Sequence, residues 1–248
     1  MNRSSRVEQL GKRLKQCKYG VALTGAGHST ESGIPDFRSP DGLYSQISED
    51  VFSIDLFMIK PEIFYAFSKT FLLSILQKNP NQAHVFLADL ERRGFLKCII
   101  TQNIDGLHQK AGSKRVLQIH GQIQTSHCLG CHKEFDIEYI KDELLEKNQN
   151  PVRCNLCSGI VKPDITFFGE SLPPDYQKAS EEIKKADLLL ICGTSLTVYP
   201  AALLPRLCSG DIIIINRDPT PMDDEAKIVI HGSLTETFKM LAKAMGLS

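Results

Sequence analysis

Four short aliphatic runs constrain this chain more than any other feature. Tyr19–Leu23 (YGVAL), Leu96–Thr101 (LKCIIT), Leu188–Cys192 (LLLIC) and Ile212–Ile215 (IIII) are strand-sized, and none alternates apolar with polar residues. A strand that is apolar on both faces belongs in a sheet covered on both sides, and that is the normal state of a parallel sheet. Val116–Ile119 and Lys227–Ile230 are two further short candidates. Helical segments separate them: Val7, Leu10 and Leu14 at helical spacing, Ala83–Arg93 stopped by Gly94, Asp175–Lys185, Ala201–Cys208 and Leu234–Met245. Strands alternating with helices predict an α/β fold, a parallel sheet with helices on both faces.

With 248 residues the chain can hold one large domain and an inserted module. Formal net charge is zero, so no bulk field draws it to nucleic acid or to an anionic membrane. The aliphatic runs are too short to span a bilayer. The basic N-terminus lacks an apolar targeting core and is expected to form an amphipathic helix. Together with the cysteine usage below, this leads us to expect a reducing, cytoplasmic setting.

Thr24 to Arg38 reads TGAGHSTESGIPDFR. It follows the first strand, and Gly25 and Gly27 let the backbone approach a ligand closely. Ser29 and Thr30 stand where a helix could be capped, with Glu31 in its first turn. Strand, Gly-x-Gly and helix start would aim backbone N–H groups at a diphosphate. The other chemistry-bearing clusters, Gln102–Asp105, His120, Gly193–Ser195 and Asn216–Asp218, also lie just beyond strand C-termini, where open α/β sheets bind ligands. Residues 41–79 are rich in Phe, Ile and Leu at helical spacing, with Pro61 at a helix start.

Cys128-x2-Cys131 and Cys154-x2-Cys157, twenty-two residues apart, have the spacing of a four-thiolate zinc ribbon. The intervening module has few apolar residues, and a metal can replace a missing core. Disulfides or unrelated cysteines are the alternatives, which the lack of an export signal disfavours. Four thiolates leave no open position, so the ion would be structural. His127 and His132 read as bystanders. Cys17, Cys98, Cys192 and Cys208 read as small buried hydrophobes.

On these residues the chain resembles the sirtuin family of NAD-dependent protein-lysine deacylases. The matching motifs are GAGHSTESGIPDFR (25–38), TQNID (101–105), HG (120–121), the four cysteines, KPDITFFGE (162–170), GTSL (193–196), VYP (198–200) and Asn216. They run in the family's order over nearly the whole chain, and the details look most like compact bacterial or archaeal members. The resemblance implies a Rossmann-like NAD-binding domain from residues 1–42, 80–122 and 162–248, a helical insertion at 43–79 and a zinc-ribbon module at 123–161.

The resemblance also implies the chemistry. NAD would lie across the strand ends against Gly25, Ala26, Gly27, Thr30, Arg38, Gly193, Thr194 and Ser195, with Asn216, Arg217, Gly232 and Ser233 towards the adenosine. Asp105 and Ile104 would hold the nicotinamide carboxamide, while Gln102 and Asn103 orient its ribose and a water. The acyl-lysine oxygen would attack the ribose carbon that carries nicotinamide, giving an alkylimidate. His120 would then act as general base, an imidazole suiting that task near neutral pH, and Phe37 would screen the reacting face. Ile34–Arg38 would thus serve as a lid over the nicotinamide ribose. The peptide would add as a strand between Gly169–Leu172 and Thr197–Tyr199, touching Phe168, Gly169, Glu170, Val198 and Tyr199. Acetylated proteins or peptides would be the partners, one zinc ion the structural metal, and O-acetyl-ADP-ribose a product.

Three departures matter. Members that remove acidic acyl groups carry a Tyr-x-x-Arg pair, and in an ungapped reading Ser68 and Phe71 occupy those positions here, which predicts poor desuccinylation. His28 stands where an aliphatic residue is usual, as a tolerated surface change or one that alters loop dynamics. Thr166 replaces a common Val. His84 and His108 fall on predicted helices and read as structural. The competing functions are a mono-ADP-ribosyltransferase, or a non-enzymatic zinc-ribbon binding module. The acidic excess over residues 127–161 argues against a ribbon that binds nucleic acid.

Overall fold

The computed structural model describes residues 2–247. Among the described residues, nine strands form two sheets. The larger contains β1 (Gly20–Thr24), β2 (Leu96–Thr101), β3 (Val116–Gln118), β7 (Leu188–Cys192), β8 (Asp211–Asn216) and β9 (Ile228–His231). Its order is β3-β2-β1-β7-β8-β9, and every neighbouring pair is parallel. The smaller is antiparallel, order β5-β4-β6, from β4 (Gly121–Cys128), β5 (Glu134–Asp136) and β6 (Val161–Ile165).

The lack of alternation in the large strands follows from their packing. Ala22, Leu188, Leu190, Ile213 and Ile215 face helices α1 (Arg3–Gln16), α5 (Gln82–Arg92) and α9 (Leu234–Met245), meeting Leu10, Leu14, Leu87 and Phe238. Their neighbours Val21, Leu23, Leu189, Ile191 and Ile214 face the other way, onto Ala179 and Ile183 of α8 (Pro174–Lys185) and Leu204. Each fully buried Leu or Ile side chain contributes roughly 1.5–3 kcal/mol, so the two-sided pattern is the sheet's main source of stability. Helix ends follow their caps: Asn2 Oδ1 accepts from Ser5 N at 3.0 Å, Asn81 Oδ1 from Ala83 N at 2.9 Å, and Ser233 Oγ from Glu236 N at 3.2 Å.

Strand order reverses between β1 and β7, so connections leave the two C-terminal ends in opposite directions and open a crevice there. Short helices α2 (Ile54–Ile59), α3 (Pro61–Thr70) and α4 (Leu72–Ile75) lie across from it. They share one core with the small sheet and with α7 (Ile137–Lys141), in which Phe57, Phe64, Tyr65 and Phe167 pack with Val161 and Ile165. The strand β6 spans the expected boundary between 161 and 162 and pairs with β4, in the small sheet.

Two local expectations are corrected. No α-helix follows Gly25-x-Gly27; residues Ala26–His28 and Thr30–Ser32 make two 3-10 turns that end at Gly33, φ 79°. Ser29 does not cap a helix because its hydroxyl is engaged elsewhere. Residues Ala201–Leu207 are likewise a 3-10 helix, with Pro205 inside it.

Candidate active site

A cavity of about 700 Å³ runs along the crevice. Three loops from the large sheet form one wall, the turn after β1, residues 102–105 after β2 and residues 193–195 after β7; His120, just beyond β3, also lines it. Residues 165–170 and Leu172, with Phe71, Leu72 and Ile75, line the opposite side.

The glycines serve loop-to-loop contact as well as ligand approach. A Cβ on Gly25 would lie 2.7 Å from Thr194 Cβ, and one on Gly27 3.0 Å from Gly193 O. Gly193 has φ 63°, and a Cβ there would be 2.4 Å from His28 N. Only bare backbone lets the β1 and β7 loops touch.

Ser29, at 1% exposure, is the polar hub. Its Oγ donates to Asp105 Oδ2 at 2.7 Å and accepts from Asn103 Nδ2 at 3.0 Å. Asn103 Nδ2 also donates to Gly25 O at 3.0 Å, tying the second loop to the first. Asp105 Oδ1 accepts from Leu107 N at 2.8 Å, at the start of α6 (Leu107–Lys110). Burial pushes the Asp105 carboxyl above its ordinary value, partly offset by the Leu107 and Ser29 hydrogen bonds. Gln102 Nε2 donates to Thr194 Oγ1 at 3.0 Å.

The ring of His120 lies with Nδ1 3.1 Å from the carbonyl oxygen of Gln102. A carbonyl can only accept, so Nδ1 carries the hydrogen and Nε2 is the basic nitrogen. Burial holds the imidazole below its usual value, against the opposing effect of that hydrogen bond. The next residue, Gly121, has φ 76°, and a Cβ there would fall 1.9 Å from Asp164 O. The backbone thus turns from the large sheet into the small one at the histidine.

Phe37 and Arg38 border the cavity; the Phe37 ring lies 5.3 Å from Tyr44, and Arg38 is paired with Glu49 at 3.6 Å. Asn216 Nδ2 donates to Asp218 O at 2.8 Å, and Ser233 Oγ to Glu31 at 2.8 Å. Ser195 Oγ is 2.8 Å from Thr197 Oγ1. Across the groove, Phe168 N donates to Phe52 O at 2.7 Å and Ile54 N to Phe168 O at 3.0 Å. The N–H groups of Gly169, Leu172, Val198 and Tyr199 have no partner among the described residues. Two stretches of irregular backbone with free N–H groups therefore line the cavity.

The carboxylate of Glu170 is turned inward. It accepts from Phe167 N at 2.7 Å and pairs at 2.9 Å with Lys162, an ammonium 3% exposed that also donates to Ile165 O at 2.8 Å. Ser68 is buried and its Oγ donates to Phe64 O at 2.8 Å; Phe71 does line the cavity. Tyr65, three residues before Ser68, is fully buried with its hydroxyl on Val161 O. Helix α3 therefore presents no cation to the cavity.

The four cysteine sulfurs lie within 4.8 Å of one another, with Cys128–Cys157 at 3.4 Å and Cys131–Cys154 at 3.6 Å. None is in a disulfide. A zinc ion with Zn–S bonds of about 2.3 Å needs sulfurs roughly 3.8 Å apart, so the set fits a tetrahedral ion. Gly130 N and Leu156 N each donate to a sulfur, Cys128 and Cys154 respectively, at 3.3 Å. Such donors stabilise thiolates. His132 is exposed and His127 pairs with Asp164 at 2.6 Å; neither joins the set.

The model of the Sir2 family matches residues 25–200. The chain belongs to the Sir2 family. It is 42% identical over 239 residues to an NAD-dependent protein deacetylase of Thermotoga maritima, covering 95% of this chain and 96% of that one. It is also 42% identical over 227 residues to an NAD-dependent protein deacetylase of Saccharolobus solfataricus, covering 90% and 91%. Among solved structures, a Sir2 variant holding a deacetylated p53 peptide and 3'-O-acetyl ADP ribose superposes with TM-score 0.94 at 39% identity, covering 98% and 99%.

Sequence reasoning missed Ser29, which was read only as a helix cap, and the apolar wall of Leu72 and Ile75. The serine's signal was its place inside a shared motif; the wall had none beyond helical periodicity. His28 is not a surface residue: it is 1% exposed, packed against His84 and His108 at ring distances of 4.6 and 5.0 Å.

Proposed function

We propose that this chain is an NAD-dependent protein-lysine deacetylase. The observation that carries the reading is one cavity that joins the glycine turn, the Gln102–Asp105 loop, His120 and two stretches of unpaired backbone in a Sir2-family chain. NAD, when bound, supplies an activated C–N bond to nicotinamide and an ADP-ribose that accepts the acyl group.

The residues then divide the work. Backbone N–H groups of Ala26 and Gly27, with Thr30, Arg38 and Gly193–Ser195, hold the diphosphate. Asn216, Arg217, Gly232 and Ser233 hold the adenosine end. Asp105 and the backbone of Ile104 take the nicotinamide carboxamide, and Ser29 and Asn103 fix that carboxyl in place. Gln102 and Asn103 orient the nicotinamide ribose and a water. His120 Nε2 removes a proton from a ribose hydroxyl, and its Nδ1–H bond to Gln102 fixes the tautomer for that step. Phe37 covers the site once nicotinamide has left. Gly169–Leu172 and Thr197–Tyr199 pair with the peptide backbone, and Phe168, Val198 and Tyr199 flank the acyl-lysine. Glu170 contributes through Lys162, by shaping its loop.

Cys128, Cys131, Cys154 and Cys157 would hold one structural zinc, which fixes the small sheet that carries one peptide edge. We take 1–42, 80–122 and 162–248 as the NAD-binding domain, with 43–79 and 123–161 as its two insertions, the ends of β4 and β6 that cross these bounds belonging to the small sheet. The free thiols suit a reducing cytoplasm, and no helix among the described residues is long and apolar enough to cross a membrane.

The test is turnover of an acetyl-lysine peptide with and without NAD. The reading expects nicotinamide and deacetylated peptide in equal amounts, with O-acetyl-ADP-ribose. Loss of acetyl without NAD would overturn it, and ADP-ribose left on protein without deacetylation would indicate a transferase.

A further inference from the structure

Beneath the glycine turn lies a feature that the deacetylase reading does not use. His28, in the turn after β1, meets His84 of α5 and His108 of α6 in a closed triangle, with ring centroids 4.6, 5.0 and 4.8 Å apart. The three are 0–1% exposed. We propose that they form a second metal site, for a first-row divalent ion of the zinc class, separate from the four cysteines.

The donor geometry supports this. One ring nitrogen from each residue lies within 4.8 Å of the others. Both nitrogens of His28 and Nδ1 of His108 are buried and have no hydrogen-bond partner. Orphaned buried imidazole nitrogens from two residues facing one point are rare in a well-packed interior. The ring of His108 is already oriented as a metal-bound imidazole is, its far nitrogen held by a hydroxyl. His108 Nε2 lies 2.9 Å from Thr24 Oγ1, which leaves Nδ1 for the ion. His84 Nδ1 accepts from Asn81 N at 3.3 Å and lies 3.0 Å from Asn81 Oδ1, while its Nε2 has only a long contact, 3.4 Å, to Ser29 Oγ.

The chemistry of the set selects the ion. The three donors are imidazole nitrogens, buried at 0–1% exposure, with no carboxylate or thiolate among them. Three neutral nitrogens without thiolate suit zinc, cobalt, nickel or copper and not magnesium or calcium. The nearest route for charge compensation runs through Ser29, whose Oγ donates to Asp105 Oδ2 at 2.7 Å.

Because the cluster is closed, the ion must enter during folding or when the turn opens, so loading belongs in the growth medium. The full-length protein is produced with zinc or with cobalt supplied, and metal content is measured for wild type and His28→Ile. Wild type should hold about two ions per chain and the variant about one, since two imidazoles do not make a stable site. The cobalt protein adds a readout independent of the variant's folding. The four-cysteine site gives intense sulfur-to-cobalt charge transfer, whereas the second ion should show ligand-field bands of a nitrogen-bound tetrahedral or five-coordinate centre. One ion in wild type, two in both proteins, or a cobalt spectrum of thiolate character alone would each overturn the proposal.

Discussion

The two sheets solve the same problem by opposite means. In the large sheet every residue of β1 and β7 is buried, and helices cover both faces. The small sheet has three strands, one of only three residues, and β4 buries only every second or third side chain. Its core is completed by Cys128 and Cys154 and by helices α2 to α4. The large sheet is held by apolar area alone, the small one by apolar area borrowed from α2 to α4 together with a four-thiolate ion site, and the cavity lies where they meet. Sheet stability and site integrity should therefore be separable.

Removing the metal should have the largest effect. Zinc is worth roughly 10–16 kcal/mol apparent in small modules, so chelation or Cys154→Ala should strip amide-exchange protection from 121–165 and 52–75. Protection in β1, β7 and β8 should survive. Uniform loss across both sheets would erase the contrast. In the other direction, Leu190→Ala should cost about 2–5 kcal/mol by cavity formation in the large core. Its zinc content should be unchanged, as read by denaturant melts beside elemental analysis.

Smaller effects probe the cavity walls. With Phe71, Leu72 and Ile75 on the acyl side and no cation from α3, a succinyl-lysine peptide lacks the charge-assisted bond, worth about 1.5–3 kcal/mol, that its carboxylate needs. It should react roughly 10- to 100-fold more slowly than an acetyl peptide. Comparable kcat/KM values would contradict that wall. The smallest effect is on acid stability, measured with the three-histidine cluster empty of metal. His28, His84 and His108 are neutral when folded but titrate near 6.5 when unfolded. The unfolded chain thus binds more protons below that value, so stability is complete above it and falls as pH drops towards about 4 for His84. The melting temperature of His28→Ile should fall less steeply with acid than that of wild type, and parallel slopes would show that His28 is not buried as described.

The same contrast explains what could be read in advance. Continuous aliphatic runs can only be two-sided strands, so the large sheet and its strand-end clusters were legible. Cysteine spacing revealed the ion site because tetrahedral thiolate geometry leaves few alternatives. The turn after Gly25 was misread because Ser29 has the residue type of a helix cap, and only tertiary contact shows its hydroxyl serving Asp105 and Asn103. His28 was illegible for a related reason: its partners are fifty-six and eighty residues away in sequence, on α5 and α6. The ion pair of Glu170 with the buried Lys162 likewise had no signal in the sequence.

Placing His120 as a base that acts after nicotinamide departs leads to the most direct test. In His120→Ala, exchange of labelled nicotinamide into NAD, which needs the acetyl peptide and the first step only, should persist. Deacetylated product should fall about 10²- to 10⁴-fold, and in wild type kcat/KM should decline with acid only below the ordinary histidine value of 6.5, since burial lowers this imidazole. Loss of exchange and of product together, or full product formation by the variant, would contradict the role assigned to His120.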